Sequence, residues 1–248
     1  MNLRAIKTIW TRELKVQLRD KSNLISSVAR PITWFLIFGS GFGAARFAGL
    51  NVDYREFLFP GVIAMSVIFT SMRSGISVIW DREFGFMKEI LVSPASRYSI
   101  MAGKVLGTAT IAITEGALIM VIGPFFGAKI TPISFAVSLA ILFLMSLSLV
   151  SIGLIISVFM KTFEGFQTLM TFIIMPMFFL SGAIFPLNQI PAWMTPLTTV
   201  NPLTHGVDAL HIALLGMGRN AITVDITVIV AFAAVTMAVG TQAFKNRD

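Results

Sequence analysis

The chain has 248 residues, 56% of them hydrophobic and only 12% charged, with a net charge of +7 and a mean hydropathy of +0.84. A soluble domain needs far more polar surface than that, and long helix-compatible apolar runs in place of alternating ten-residue strands also exclude an outer-membrane barrel. There is no cysteine, so disulfides and thiolate metal sites are absent, and the basic excess reads as residues that hold loops in the cytoplasm, not as a nucleic-acid surface.

Residues 3–20 carry Leu3, Ile6, Trp10, Leu14 and Leu18 within an arc of about 120°, while Arg4, Lys7, Arg12, Lys15 and Arg19 lie mostly off it. This is a basic amphipathic helix, suited to the membrane interface or to packing on a partner. No small-residue cleavage site follows, so it does not read as a removable signal peptide. Crossing a hydrocarbon core takes about 20 mainly apolar residues, and six stretches qualify: 24–45, 57–79, 100–126, 133–159, 165–184 and 221–243. The expected fold class is an all-α membrane protein, a single transmembrane domain over residues 1–248.

Two stretches between these spans stand out, a charged segment at 81–97 and a proline-rich, interrupted segment at 185–210. With the N-terminus inside, fourteen Lys and Arg fall on the cytoplasmic side and four on the other, leaving out Arg73. That asymmetry places both termini in the cytoplasm.

Arg73 and Glu115 lie within predicted spans, where charge is costly and marks a functional site by default. Arg73 is close enough to the inner end of its span to snorkel to the headgroups. Glu115 reaches less far, so it is expected to pair with Arg73 or to face a cavity. His205 and His211 are too isolated to suggest a metal site. Gly39/Gly43, Gly103/Gly107 and Gly123/Gly127 have the spacing that lets helices approach closely.

The segment Asp81-Arg82-Glu83-Phe84-Gly85-Phe86-Met87-Lys88-Glu89-Ile90-Leu91-Val92-Ser93-Pro94 exceeds a plain helix–helix connection. Its mixture of charged and apolar residues suits either a solvated loop or a short amphipathic helix open to a cytoplasmic partner. Its pattern resembles the first cytoplasmic loop of ABC-2 type permeases, which in that family is the coupling helix. A second match runs through Ser181-Gly182, Phe185-Pro186, Pro191-x-Trp193, Asn201-Pro202-Leu203-Thr204 and Asp208, similar to that family's re-entrant region before the last helix. His211 stands where the family often has Arg. Together with the N-terminal helix and six spans, the resemblance covers essentially the whole chain, with the closest likeness to daunorubicin-type and nodulation-factor exporter permeases.

The resemblance implies a transport subunit, not an enzyme, driven by an ABC ATPase present in two copies and paired with a second permease as homo- or heterodimer. The chain itself has no Gly-x-x-x-x-Gly-Lys-Ser/Thr motif, so ATP and Mg would be bound by the partner ATPase. Glu83, Phe84, Gly85, Lys88 and Leu91 would receive the force, with Phe84 filling a pocket and Gly85 allowing close approach. Phe185, Pro186, Pro191, Trp193, Asn201 and Pro202 would form the external re-entrant region as two short helices around Asn188 and Pro191. The implied substrate is amphipathic (a drug-like compound, lipid or lipid-linked glycan) and the implied site a prokaryotic plasma membrane. An alternative reading is an ion-gradient-driven secondary transporter using Glu115; an intramembrane enzyme lacks paired catalytic residues at membrane depth.

Overall fold

The computed structural model describes residues 2–43, 52–85, 95–160 and 162–246. Every regular element among them is helical: α1 (Leu3–Arg19), α2 (Lys21–Gly41), α3 (Tyr54–Glu83), α4 (Arg97–Ile122), α5 (Pro132–Phe159), α6 (Phe163–Phe179), α7 (Thr195–Val200), α8 (Pro202–Leu215) and α9 (Ile222–Asn246), with single 3-10 turns between some of them. Five are long and apolar enough to cross a bilayer: α2, α3, α4 with its 3-10 extension to Phe126, α5 and α9. The protein is a multi-pass, all-α membrane protein.

The expected fifth span, 165–184, is shorter than the sequence suggested. Helix α6 has 17 residues, about 25 Å at 1.5 Å per residue, less than a hydrocarbon core of about 30 Å. The chain turns away at Leu180 and Ser181, and Gly182 adopts a left-handed φ of 82°, which a side-chain-bearing residue rarely takes. The second span is longer than expected. Helix α3 continues through Asp81, Arg82 and Glu83, residues assigned from sequence to a separate cytoplasmic helix at 81–97. Residues 86–94 of that expected helix, including Lys88 and Leu91, lie outside the described residues, and α4 begins at Arg97 behind a Ser96 cap.

Helix ends and buried hydroxyls are satisfied within the protein, as a medium without water demands. Helix α5 starts with a Thr131/Ser134 capping box and Pro132 in the first turn. Its buried Ser146, Ser148, Ser151 and Ser157 donate to carbonyls three or four residues back at 2.6–2.8 Å, which removes an otherwise unpaired hydroxyl from an apolar interior.

Helix α3 is the axis of the bundle: 72% of its spanning window is buried, against 22% for α2 and for α9. Ile63 and Val67 of α3 pack with Ala112 of α4, Leu142 and Met145 of α5, and Val207 and Leu210 of α8. Close approach relies on glycine. A Cβ at Gly153 of α5 would fall 2.7 Å from the Ser71 carbonyl oxygen of α3.

The amphipathic helix α1 is seated on α4. Asn2 caps it by accepting from the N–H groups of Arg4 and Ala5, and the Asn2 N–H donates to Ser99 Oγ at 3.1 Å. Trp10 Nε1 donates to Thr110 Oγ1 at 3.1 Å. Gly103 and Gly107 have α1 as their partner: a Cβ at these positions would lie 2.8 Å from Ile9 Cβ and 2.7 Å from Glu13 Cβ. The edge of α1 buried on α4 is Ile9 and Glu13, while Leu3 and Leu18 of the apolar stripe remain exposed.

Candidate functional site

Four charges converge where α1, the end of α3 and the first turns of α4 meet. Lys104 is only 1% exposed. Its ammonium donates to Asp81 Oδ2 at 2.7 Å, Glu13 Oε1 at 2.9 Å and Ser77 Oγ at 3.3 Å, so each of its three hydrogens has an acceptor. Arg12 closes the cluster from the outside with a forked contact to Asp81 and one to Glu13 at 3.1 Å. Two cations and two carboxylates thus offset one another in a place where any one alone would be expensive. Sequence reasoning counted Lys104 among the loop cations and gave Glu13 no role. Glu13 is 91 positions from Lys104, and spacing carries no sign of their pairing.

A second ionic contact lies deeper. Arg73 is ten residues from the end of α3, about 15 Å along the helix. Its Nη2 meets Glu115 Oε1 of α4 and lies 2.9 Å from Thr70 Oγ1, while Nη1 donates to Asn23 Oδ1 of α2 at 2.8 Å. Thr70 Oγ1 donates to the other Glu115 oxygen, so both carboxylate oxygens are engaged. Arg73 therefore ties three helices together.

Between these two polar tie points is a cavity of about 630 Å³. Val16, Phe69, Ile76 and Trp80 supply apolar walls; Arg12, Arg30 and Arg73 supply cations, and Glu13, Asp20 and Asp81 carboxylates. Arg30 sits over the Phe69 ring at 4.8 Å. Phe84 also borders the cavity, and its ring is 83% exposed. Glu83 beside it is exposed, and Gly85 takes a φ of 77° with open space around it.

At the opposite end of the bundle, the Asn201-Pro202-Leu203-Thr204 motif has a clear physical role. A helix leaves its last carbonyls without intrahelical donors. The Asn201 amide donates to the Met177 carbonyl at 2.7 Å and Thr204 Oγ1 to the Leu180 carbonyl at 3.1 Å, covering the exposed end of α6. Asn201 Oδ1 accepts from the Leu203 N–H at 3.1 Å, capping α8, whose first turn contains Pro202. Pro186 and Pro191 precede two single 3-10 turns, Leu187–Gln189 and Ala192–Met194, where two short helices were expected. Phe185 is half-buried against the core and Trp193 is exposed.

Asp208 accepts the backbone N–H groups of Arg219 and Asn220 at 2.8 and 2.9 Å, fastening the connection into α9. Burial, ahead of other causes, raises its pKa. His211 stacks on Phe57 with centroids 4.7 Å apart and lies 3.0 Å from the Phe57 carbonyl; burial lowers its pKa. His205 places Nδ1 2.8 Å from Asp225 Oδ1 and Nε2 3.0 Å from the Thr199 carbonyl. Both partners are acceptors, so a cationic ring with two N–H groups fits them. The hydrogen bond to Asp225, outweighing burial, raises the His205 pKa.

Comparison with known proteins agrees with this architecture. The family model for ABC-2 type transporters matches residues 4–215. The chain is similar to the inner membrane transport permease YadH of Escherichia coli (strain K12), 27% identical over 92% of this chain and 90% of that protein. It is similar to ycf38 of Cyanophora paradoxa, named as a transport permease, at 28% identity over 82% of this chain and 72% of that one. It is also 32% identical to the Escherichia coli (strain K12) protein named "Probable multidrug ABC transporter permease YbhR", over 64% of this chain and 43% of that protein.

Two outcomes follow from the geometry. Removing one member of the Arg73–Glu115 pair leaves its partner buried and unmatched, so Glu115→Gln and Arg73→Gln each destabilise the detergent-purified protein by about 3–5 kcal/mol. The double variant loses less than the two single losses added, because neither charge is then left alone; simple additivity in a thermal or denaturant unfolding cycle contradicts the pairing. The second outcome concerns pH. A histidine whose folded-state pKa is raised stabilises fully below its unfolded value of about 6.5, and that contribution is lost as pH rises through the folded value. The melting temperature should fall as pH rises from about 6.5 through the raised value, and His205→Gln should flatten the fall. An unchanged slope assigns the titration to another group.

Proposed function

The chain belongs to the ABC-2 type transporter family, and on that premise we propose that it is the membrane half of an ATP-driven exporter, gripped by a separate ATPase at the end of the bundle that carries Phe84. Its membership makes it a transport permease, not a catalytic enzyme. The working assembly is two permeases, identical or not, with two ATPase subunits that bind ATP and Mg. Both termini face the cytoplasm of a prokaryotic cell, with the short α6 and the turn after it completing a sixth crossing, in line with the fourteen-to-four distribution of basic residues.

The observation that carries this reading is Phe84. A large apolar ring left 83% exposed at the tip of the bundle's most buried helix is placed to enter a pocket on another protein. Interface anchors are commonly aromatic. The left-handed Gly85 that follows lets the chain turn sharply away without a side chain in the path of a partner. Glu83 lies beside them, and Lys88 and Leu91 complete the proposed grip.

The cavity at the same end supports an amphipathic substrate. Its volume lies in the range of small-molecule sites, and its apolar walls with Arg30 and Arg73 suit a greasy body carrying a polar head. A drug-like compound, a lipid or a lipid-linked glycan fits that description. On the far side, residues 185–210 form the external re-entrant region, with Asn201 and Thr204 covering carbonyls left open where α6 ends. A secondary transporter cycling a proton on Glu115 gains no support, because both oxygens of that carboxylate are engaged by Arg73 and Thr70.

Affinity purification of the tagged chain from its own membranes tests the reading. An ATPase with a phosphate-binding loop should accompany it, and Phe84→Ala should weaken that association by about tenfold or more, equivalent to 1.4 kcal/mol. Recovery of the intact permease without any ATPase contradicts the exporter reading; equal recovery with Phe84→Ala places the grip elsewhere.

A further inference from the structure

Helix α3 ends at its Phe84 cap, and α4 begins at Arg97. Both roots of the segment between them are tied. Asp81 lies three residues before Phe84, Lys104 lies seven residues after Arg97, and the two meet at 2.7 Å. The same ammonium holds Glu13 of α1 at 2.9 Å. On the other side of that contact, α1 rests directly on the bare backbone of Gly103 and Gly107. Rolling or sliding α1 over α4 would separate buried opposite charges and force Ile9 and Glu13 into α4.

Helix α2 is held very differently. Only 22% of its spanning window is buried. It joins α1 through one residue, Asp20, which ends α1 and caps α2 by accepting the Asn23 N–H at 3.0 Å. A second polar attachment, Asn23 to Arg73 at 2.8 Å, lies one turn further on.

We propose that the Lys104 cluster makes α1 and the adjoining ends of α3 and α4 one rigid body, so that displacement of the segment 84–96 is delivered through α1 and Asp20 to α2. Lys104, Glu13 and Asp81 are then positioning residues of transport: Glu13 and Asp81 border the cavity, but their part in the movement is to hold α1 to the ends of α3 and α4 and so to set which helix moves. The proposal rests on the reading that an ATPase acts on that segment. It adds the route by which the push reaches the membrane, and it names the loosely packed α2 as the moving part.

The chain lacks cysteine, so pairs of spin labels can be introduced without background. One pair, Lys15→Cys with Thr114→Cys, reports α1 against α4. Another, Ile37→Cys with Thr114→Cys, reports α2 against α4. In the complex with its ATPase, diluted with unlabelled permease, distances are measured without nucleotide and after trapping with ATP and vanadate. The α1–α4 distance should stay constant, while the α2–α4 distance shifts by about 1–2 Å or more. Lys104→Met should retain ATP hydrolysis but lose the α2 shift, a split that simple unfolding would not produce. If Lys104→Met fails to fold, Lys104→Met with Glu13→Gln and Asp81→Asn removes charges of both signs and takes its place.

The isolated permease in detergent supplies an arm that needs no ATPase: the variant should broaden the α1–α4 distance distribution. A change in the α1–α4 distance on trapping overturns the proposal. So does a full-sized α2 shift in the variant, or an unbroadened α1–α4 distribution in detergent. Absence of any bound ATPase refutes the functional reading, while the detergent measurement still decides whether the cluster holds α1.

Discussion

Hydrocarbon has nothing with which to solvate a charge, and the buried ionic side chains among the described residues are arranged accordingly. Glu13, Asp81 and Lys104 lie together; Glu115 lies against Arg73; Asp225 lies against His205. Each pair also joins different helices, so satisfying the charge fixes how those helices are set against one another. Such contacts are poor sources of net stability compared with apolar packing of the same volume, but breaking one is costly. Their effect is to specify an arrangement: α1 on the ends of α3 and α4, α3 against α4, and α8 against α9.

This constraint divides the bundle. Helices α3, α4 and α5 share a dense core in which glycine permits backbone contact. Helix α2 is largely uncovered: polar contacts at its first turn, Phe35 packed edge-on against Phe59 and Phe126, and Arg55 Nε donating to the Gly39 carbonyl at 3.0 Å hold it to its neighbours. The cavity lies along that boundary, between a well-packed wall and a lightly held one. At the other end, the interrupted segment after α6 is stabilised by side chains that take over unfinished backbone bonds, with Asn201 serving two helices at once. A segment built this way can contain proline without leaving bare carbonyls in an apolar setting.

Much of this was legible in the sequence, for identifiable reasons. Apolar runs announce α2 to α5 and α9 because each must match a bilayer thickness, and the stripe through Leu3, Ile6, Trp10, Leu14 and Leu18 announces α1. Burial of charge singled out Arg73 and Glu115, and their contact was among the expectations. The Lys104 cluster escaped notice because each member looks ordinary alone: Glu13 on an amphipathic helix, Asp81 and Lys104 near a charged loop. Only the fold brings residues 91 positions apart together. The shortened α6 was equally hidden, since apolar residues continue past Phe179 and the turn depends on Gly182 and on donors supplied by Asn201 and Thr204. Motif likeness located that region without revealing which atoms those residues serve.

The account stands on the end of the bundle that holds Phe84 being the cytoplasmic one, where a motor can grasp it. A membrane-impermeant thiol reagent applied to Phe84→Cys in right-side-out and inside-out vesicles tests this directly. The account predicts modification only in inside-out vesicles, and protection when the ATPase is bound. Modification of Phe84→Cys from the outer face of intact cells would contradict it.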